Sequence, residues 1–274
     1  ADALVGTHTK TYDRYTPIRT YDKNSKSEWI WTKEVLGLDD KTAITSVSFP
    51  YYNTEKDITA EHFAFYLVNI DEEKDDFASA DAWTDLSELT PAFEATNYTL
   101  KKAGTSSDPA LLTLSLAEPF VYTGGNVKGI MLIEKQNTYS SYYFEYNSDN
   151  NLFSSIYTSS DNYDTYKGAK PSRKQQYPVA TLSLAVQAPV LSGTITAEEV
   201  ALEGATVEAK SGNVIYTATT DAEGKYSMEI MQPTLEYTVT VKAQGHDDYS
   251  ETMTIAEDKT FDHDYINGVI LKVN

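Results

Sequence analysis

Four histidines, 41 carboxylates and no cysteine are the raw material for chemistry in this chain of 274 residues. His8, His62, His246 and His263 stand far apart, and none has a second His or a Cys at the short spacing a zinc site uses. Without Cys there is neither disulfide nor thiol chemistry. Gly124-Gly125 runs into Asn-Val-Lys rather than a GK[ST] ending, so it reads as a turn and not as a phosphate loop. No G-x-S-x-G nucleophile elbow occurs. A carboxylate pair that hydrolyses glycosides is defined by a separation in space of roughly 5–9 Å, which a sequence does not give. A glycoside hydrolase therefore stays open as an alternative, while the missing catalytic motifs make a non-enzyme the expectation.

The aromatics point to binding. Tyr or Trp rings on a rigid β-scaffold stack on the apolar faces of sugars, while Asn, Asp and Ser bond the hydroxyls. The candidates are Tyr51 and Tyr52 after Pro50, Trp83 in a polar loop, and Tyr157, Tyr163 and Tyr166 among Ser, Asp and Asn. For Trp83 a core position and a ligand contact both remain open, as do idle exposure and binding for the three later tyrosines. Trp29, Trp31, Phe63, Phe65, Tyr142 and Phe144 share strand faces and are assigned to the core. Asp71-Glu-Glu, Asp75-Asp76 and Asp161-Asn-Tyr-Asp164 carry hard oxygen ligands without an EF-hand pattern, so they read as solvated turns or a structural calcium site. No other cofactor is expected.

The formal charge is −19, shared almost evenly between the two ends: −9 before Ala188 and −10 from there on. Neither half offers a basic face, so nucleic acid and anionic membrane are poor partners. No apolar run approaches the ~18 residues of a membrane span, and Ala1-Asp-Ala-Leu-Val is not a signal peptide. An exported protein would already have lost its targeting segment.

The elements that must position these residues are strands. From Tyr216 to Gly245 three alternating runs are punctuated by Asp221-Ala-Glu-Gly224 and by Pro233, which predicts a hairpin followed by a third strand. Leu191–Thr196, Tyr249–Ile255 and Val269–Val273 are expected to flank it. Upstream, strands are predicted at Val5–Tyr12, Trp29–Trp31, Ala43–Phe49 with Pro50 as its stop, and Phe63–Ile70 as a central strand. Further ones are predicted at Tyr98–Leu100, Leu111–Leu116, Val127–Ile133, Tyr142–Tyr146 and Tyr177–Val186. Thr84–Leu89 could hold one helical turn, and Asn147–Lys167 is a polar, Tyr-studded stretch. The aromatics thin out sharply after Gln187-Ala188-Pro189, with 27 of 33 lying before it. That shift predicts a first domain over 1–187 and a second over 188–274, joined by a short semi-rigid link.

Two resemblances sharpen this all-β reading. Leu191-Ser-Gly-Thr-Ile-Thr196, Leu202-Glu-Gly-Ala-Thr-Val207, Thr220-Asp-Ala-Glu-Gly-Lys-Tyr226, Tyr237-Thr-Val-Thr-Val241 and Ala243-Gln-Gly245 resemble the carboxypeptidase regulatory-like family. That likeness implies a seven-stranded transthyretin-like or Ig-like sandwich serving as stalk or spacer, related to the B-type repeats of collagen adhesins. The first strand has no Lys, so the Lys–Asn isopeptide bond of some relatives is not expected. Tyr12…Pro17-Ile18…Tyr21, Ser27-Glu-Trp-Ile-Trp-Thr-Lys-Glu-Val35, Ile44-Thr-Ser-Val-Ser-Phe49, Phe65-Tyr-Leu67 and the Leu114–Gly125 segment look like a jelly-roll module of secreted Bacteroidales proteins. It implies an exported, adhesin-like protein, extracellular or on the outer surface, that binds a glycan or a host or surface protein. A purely structural spacer is the other reading.

Overall fold

The computed structural model describes residues 1–78, 83–185, 188–233 and 235–266. Contacts divide the chain into two units, Ala1–Ala185 and Val186–Asn274. The first begins with strands β1 (Asp2–Val5), β2 (Tyr12–Asp13) and β3 (Asn24–Trp31), helix α1 (Lys33–Leu36), then β4 (Ala43–Tyr52) and β5 (Ile58–Ile70). It continues through β6 (Phe93–Leu100), β7 (Ala110–Val121), β8 (Asn126–Gln136), β9 (Tyr143–Ser148) and β10 (Ser155–Ser160). Helix α2 (Tyr163–Gly168), β11 (Ser172–Lys174), β12 (Gln176–Pro178) and β13 (Ala180–Leu184) complete it.

These strands build two sheets. One runs β1-β13-β4-β9-β12, with β2 paired to β9 and β7 to β4; the other runs β11-β10-β3-β8-β5-β6. Trp29, Trp31, Phe63 and Phe65 from the second sheet meet Phe49, Leu114, Phe144 and Leu182 from the first, all at most 1% exposed. Trp29 lies edge-on to Phe49 at 5.8 Å and stacks on Phe65 at 6.1 Å. Gly129 makes this possible, because a Cβ there would stand 2.3 Å from the Trp29 indole.

The second sheet is covered on its other face as well. Leu86 and Leu89 pack on Ala64, Tyr66, Ile130 and Leu132, while Phe77, Trp83 and Phe153 pack on Ile30 and Ile156. A strand buried on both faces reads as a continuous apolar run instead of an alternation, which is why Phe63–Ile70 looks as it does.

In the second unit the strands are β14 (Val190–Ala197), β15 (Val200–Ala201), β16 (Thr206–Ser211), β17 (Val214–Thr219) and β18 (Lys225–Glu229). β19 (Glu236–Lys242), β20 (Tyr249–Thr254), β21 (Lys259–Thr260) and β22 (His263–Tyr265) follow. One sheet is β17-β16-β19-β20; the other is centred on β14, which pairs antiparallel with β15 and β18 and parallel with β21 and β22. Leu191, Ile195, Val207, Tyr237, Val239 and Val241 are fully buried between them. Gly193 lets the chain at Phe261 approach, since a Cβ would sit 1.9 Å from its carbonyl oxygen.

Several expectations need correction. The run from Tyr216 to Ile230 is not a hairpin: β17 pairs with β16 and β18 with β14, so the Asp221–Gly224 turn carries the chain from one sheet to the other. Pro50 does not end β4. It pairs with Leu111, and on its other side it falls between Ser48, which pairs with β13, and Tyr51, which pairs with β9. A residue without an N–H is tolerated where the ladder changes partners. Val5–Tyr12 is no strand, only the ends of β1 and β2. Thr84–Leu89 holds a turn in place of a helix, closed by Leu89 N–H to Leu86 O. Tyr177–Val186 is broken at Val179, and Val186 lies outside the described residues. The polar stretch 147–167 contains β10 and the start of α2. Val269–Val273 and Gln187 lie outside the described residues. Among those residues no helix is long and apolar enough to cross a membrane.

Candidate binding surface

Helix α2 is set by its first residue outside the helix. Asn162 accepts the Thr165 N–H at 2.8 Å, satisfying one of the donors a helix start leaves free. Spacings of three and four then place Tyr163, Tyr166 and Lys167 on one side, against β8. There Lys167 Nζ lies 2.7 Å from Glu134 Oε1, while Glu134 Oε2 faces His62 Nδ1 at 3.2 Å and the Tyr163 hydroxyl at 3.4 Å. The other His62 nitrogen meets Glu94 at 2.8 Å, so the ring bridges two carboxylates. Burial pushes the Glu134 carboxyl up, but the bonds from Lys167 and His62 outweigh it, and the group sits below its ordinary value. Burial, with Glu134 alongside, drives the Tyr166 hydroxyl well above its ordinary value.

Beside this network the sheet opens. Glu61 of β5 stands opposite Lys135 of β8 and Asn97 of β6, and both partners adopt left-handed backbone, φ 53° and 51°. Such a conformation costs a residue like lysine on the order of 1–2 kcal/mol, though asparagine adopts it more readily, and strained residues of this kind tend to cluster where a surface is functional. The Lys135 N–H goes to Asn24 Oδ1 at 2.8 Å. The result is a shallow hollow of about 630 Å³ whose wall includes Asn24, Asn97, Lys135, Asn137, Asp161 and the Tyr163 ring. Lys135 and Lys167 lie over that ring, 5.3 and 5.2 Å from its centroid. Amide donors and acceptors beside an aromatic face suit a hydroxyl-rich ring.

A second aromatic surface forms around the segment 12–21. Tyr52 stacks on Tyr143 at 4.9 Å and meets the edge of Tyr12 at 5.0 Å; Tyr15 leans on Tyr157 at 4.8 Å. Arg14 lies over Tyr21 and Tyr143, Arg19 over Tyr15 and Tyr21, and Lys174 over Tyr15 at 3.8 Å.

The six predicted stacking residues thus separate. Tyr163 lines the hollow, and Tyr52 and Tyr157 belong to the second surface, each half-buried. Two are corrected: Tyr51 is buried against Tyr142 and Phe144, and Tyr166 is buried under α2, so neither ring can take a ligand face. Trp83 anchors the covering loop, donating from Nε1 to Ala169 O at 3.0 Å, with Lys26 4.8 Å from its ring.

Next to it, fully buried Glu28 accepts both the N–H and the hydroxyl of Thr84 at 2.8 Å and has Lys26 and Lys128 at 3.7 Å. Sequence reasoning missed Glu28, Glu134 and Arg14; the only trace is the outward alternation of Lys26, Glu28 and Ile30 opposite the two indoles. Of the calcium candidates, Asp71 pairs with Lys74, Glu72 with Lys33, and Asp76 accepts from Phe153 N–H. Among the described residues no three His, Asp or Glu side chains converge on an ion position.

Residues 190–265 match the carboxypeptidase regulatory-like domain family. No curated protein matches the chain. Among solved structures, the Bacillus anthracis TIE protein aligns at TM-score 0.27 and 11% identity, over 96% of this chain and 41% of that one. A pilus adhesin of Streptococcus pneumoniae aligns at 0.21 and 8%, over 79% and 29%. The dioxygenase domain of a dioxygenase carbohydrate-binding protein fusion from Streptomyces sp. SirexAA-E aligns at 0.23 and 12%, over 31% and 82%. The chain therefore spans less than half the length of the first two.

Proposed function

We propose that this is a non-enzymatic binding protein, exported to the cell surface or beyond, whose jelly-roll-like first unit holds a saccharide in the hollow under Tyr163. The carboxypeptidase regulatory-like second unit serves as its spacer. The observation that carries this reading is the pairing of an aromatic face with two asparagines, Asn97 and Asn137, where two left-handed residues part the strands over the buried amide of Asn24. The sugar's C–H face rests on Tyr163 while the amides bond its hydroxyls, with Lys135 held in place by Glu61 at 3.3 Å.

A glycan array followed by calorimetry tests it. Tyr163→Ala and Asn97→Ala should each weaken the selected saccharide about tenfold, a loss of ~1.4 kcal/mol. An empty array, or binding indifferent to both substitutions, overturns it.

A further inference from the structure

The second aromatic surface carries a cation that has no carboxylate partner among the described residues. Arg19 is paired with Asp22 at 3.2 Å, and Lys174 lies 3.9 Å from Asp13. The nearby carboxylate of Glu145 is buried and taken up by His8 Nδ1 at 2.9 Å and the Lys10 N–H at 2.7 Å. Arg14 alone, among the described charges of this surface, has aromatic rings and no carboxylate as its side-chain partners. Its guanidinium lies 5.5 Å from the Tyr21 ring and 5.8 Å from Tyr143, and Tyr143 continues the stack to Tyr52. Tyr21 is 52% exposed.

Among the described residues Arg173 also has no carboxylate partner, but its guanidinium donates to the Phe77 and Ala78 carbonyls, whereas Arg14, in a chain of net charge −19, has its side-chain donors unclaimed by protein acceptors. Stacked rings hold its planar fork in orientation, and that fork matches a carboxylate through two parallel N–H donors. From these observations we infer a second binding site at Arg14, specific for a saccharide bearing a carboxylate. The sugar's apolar face rests against the exposed Tyr21 and its carboxylate takes the guanidinium. The inference rests on reading the first unit as saccharide-binding, at a surface distinct from the hollow. The overall negative field disfavours nucleic acids, polysulfated chains and strongly acidic peptides, whose many charges would be repelled before one arginine could repay them. A single-charge sugar acid suffers least.

Calorimetry on the intact chain with sialyllactose, a glucuronic-acid disaccharide, lactose and a tyrosine-sulfate peptide tests this. Both acidic sugars should bind and lactose should bind this surface at least tenfold more weakly. Arg14→Gln should cost the acidic sugars tenfold or more, Arg14→Lys should restore part of it, and Asp221→Ala in the second unit should leave them unchanged. Circular dichroism of each variant confirms the fold. Arg14→Gln binding acidic sugars like the parent, or the sulfated peptide binding tighter than either sugar, overturns the inference. Loss of acidic-sugar binding in Tyr163→Ala with none in Arg14→Gln does so too, and moves the site to the hollow. Failure of neutral sugars in the hollow alone removes only the proposal made for Tyr163.

Discussion

The two units solve the same problem differently. In the second, strands such as β19, with Tyr237, Val239 and Val241 inward and Thr238 and Lys242 outward, keep a dry face and a wet face. Among the described residues its one buried polar side chain is Thr220, which accepts the Ala205 N–H and donates to Leu202 O. Among the described residues the first unit buries nineteen that are polar or charged, Glu28 and Glu134 among them. Glu28 and Glu134 lie on the sheet that is covered on both faces, the outer one by loop and helix instead of strand, while Glu145 and Asn147 of the other sheet are held by the irregular segment 7–10. The lesson is that irregular cover is where charge enters a β-sandwich: loops bring the hydroxyls and backbone N–H groups that a buried carboxylate needs.

The hardest blow to that contrast is the removal of Glu28. Its loss leaves Lys26 and Lys128 facing each other without their shared anion, and burial already lowers the Lys26 ammonium below its ordinary value. Glu28→Ala should cost about 3–5 kcal/mol of first-unit stability, the range for breaking a buried ion pair. Urea unfolding followed by Trp fluorescence reads it directly, because all three Trp lie before residue 84. A cost under about 1 kcal/mol, as for surface pairs, would mean that the cover is wet and the contrast false.

A smaller effect compares the two glycines that make room. Gly129→Ala drives a methyl into the Trp29 indole, and Gly193→Ala drives one into the Phe261 carbonyl. Overpacking of this kind costs about 1–3 kcal/mol. A flexible edge should yield more than a core, so the Gly193 variant should lose protection in β21 and β22 by hydrogen exchange while the Gly129 variant loses global stability. Equal global losses would show the parallel strands to be as integral as the indole.

The same contrast explains what could be read from the chain. Alternation placed Tyr226, Met228 and Ile230 inward, and the structure agrees, since that pattern depends only on having one dry face. It did not say which strand lies next door, so a turn between sheets looked like a hairpin. Parity was right at Tyr51 and was overruled. It shares the inward phase of Val47 and Phe49, and only the assumption that Pro50 ended the strand made it seem free. Glu134, His62 and Lys167 come from β8, β5 and α2, and nothing local in any of the three announces the others. Tyr163 lines the hollow while Tyr166, one helical turn on, is buried, a difference in depth within a six-residue helix that no alternation in the sequence reports.

Acid separates the units by mechanism. Glu134 sits below its ordinary value of about 4.5 in the folded state. A depressed acid contributes stability that is complete above the unfolded value and is lost as pH falls through the folded one. Asp264 in the second unit is also lowered, by the Thr196 hydroxyl and the Glu199 N–H, but at the surface. Both units should weaken on acidification, and Glu134→Gln should flatten the first unit's response while leaving the second's. Carboxyl NMR titration with denaturation at each pH measures it. An unchanged slope in Glu134→Gln would mean that other carboxylates set the acid limit.

The smallest expected effect is the most informative about binding. Asn162→Ala removes the bond that starts α2 and should cost about 1 kcal/mol. In the second unit, Asp221→Ala removes a comparable bracket, the carboxylate that accepts the Glu223 and Lys225 N–H groups at 3.0 and 2.8 Å. Thermal melts should therefore shift by similar amounts. The two differ in what the lost order was holding: α2 aims Tyr163 into the hollow, whereas the Asp221 turn only links two sheets. Saccharide affinity should fall in Asn162→Ala and stay put in Asp221→Ala. If both variants bind like the parent, the Tyr163 ring does not need its helix, and the hollow is not the place where the first unit's irregularity becomes function.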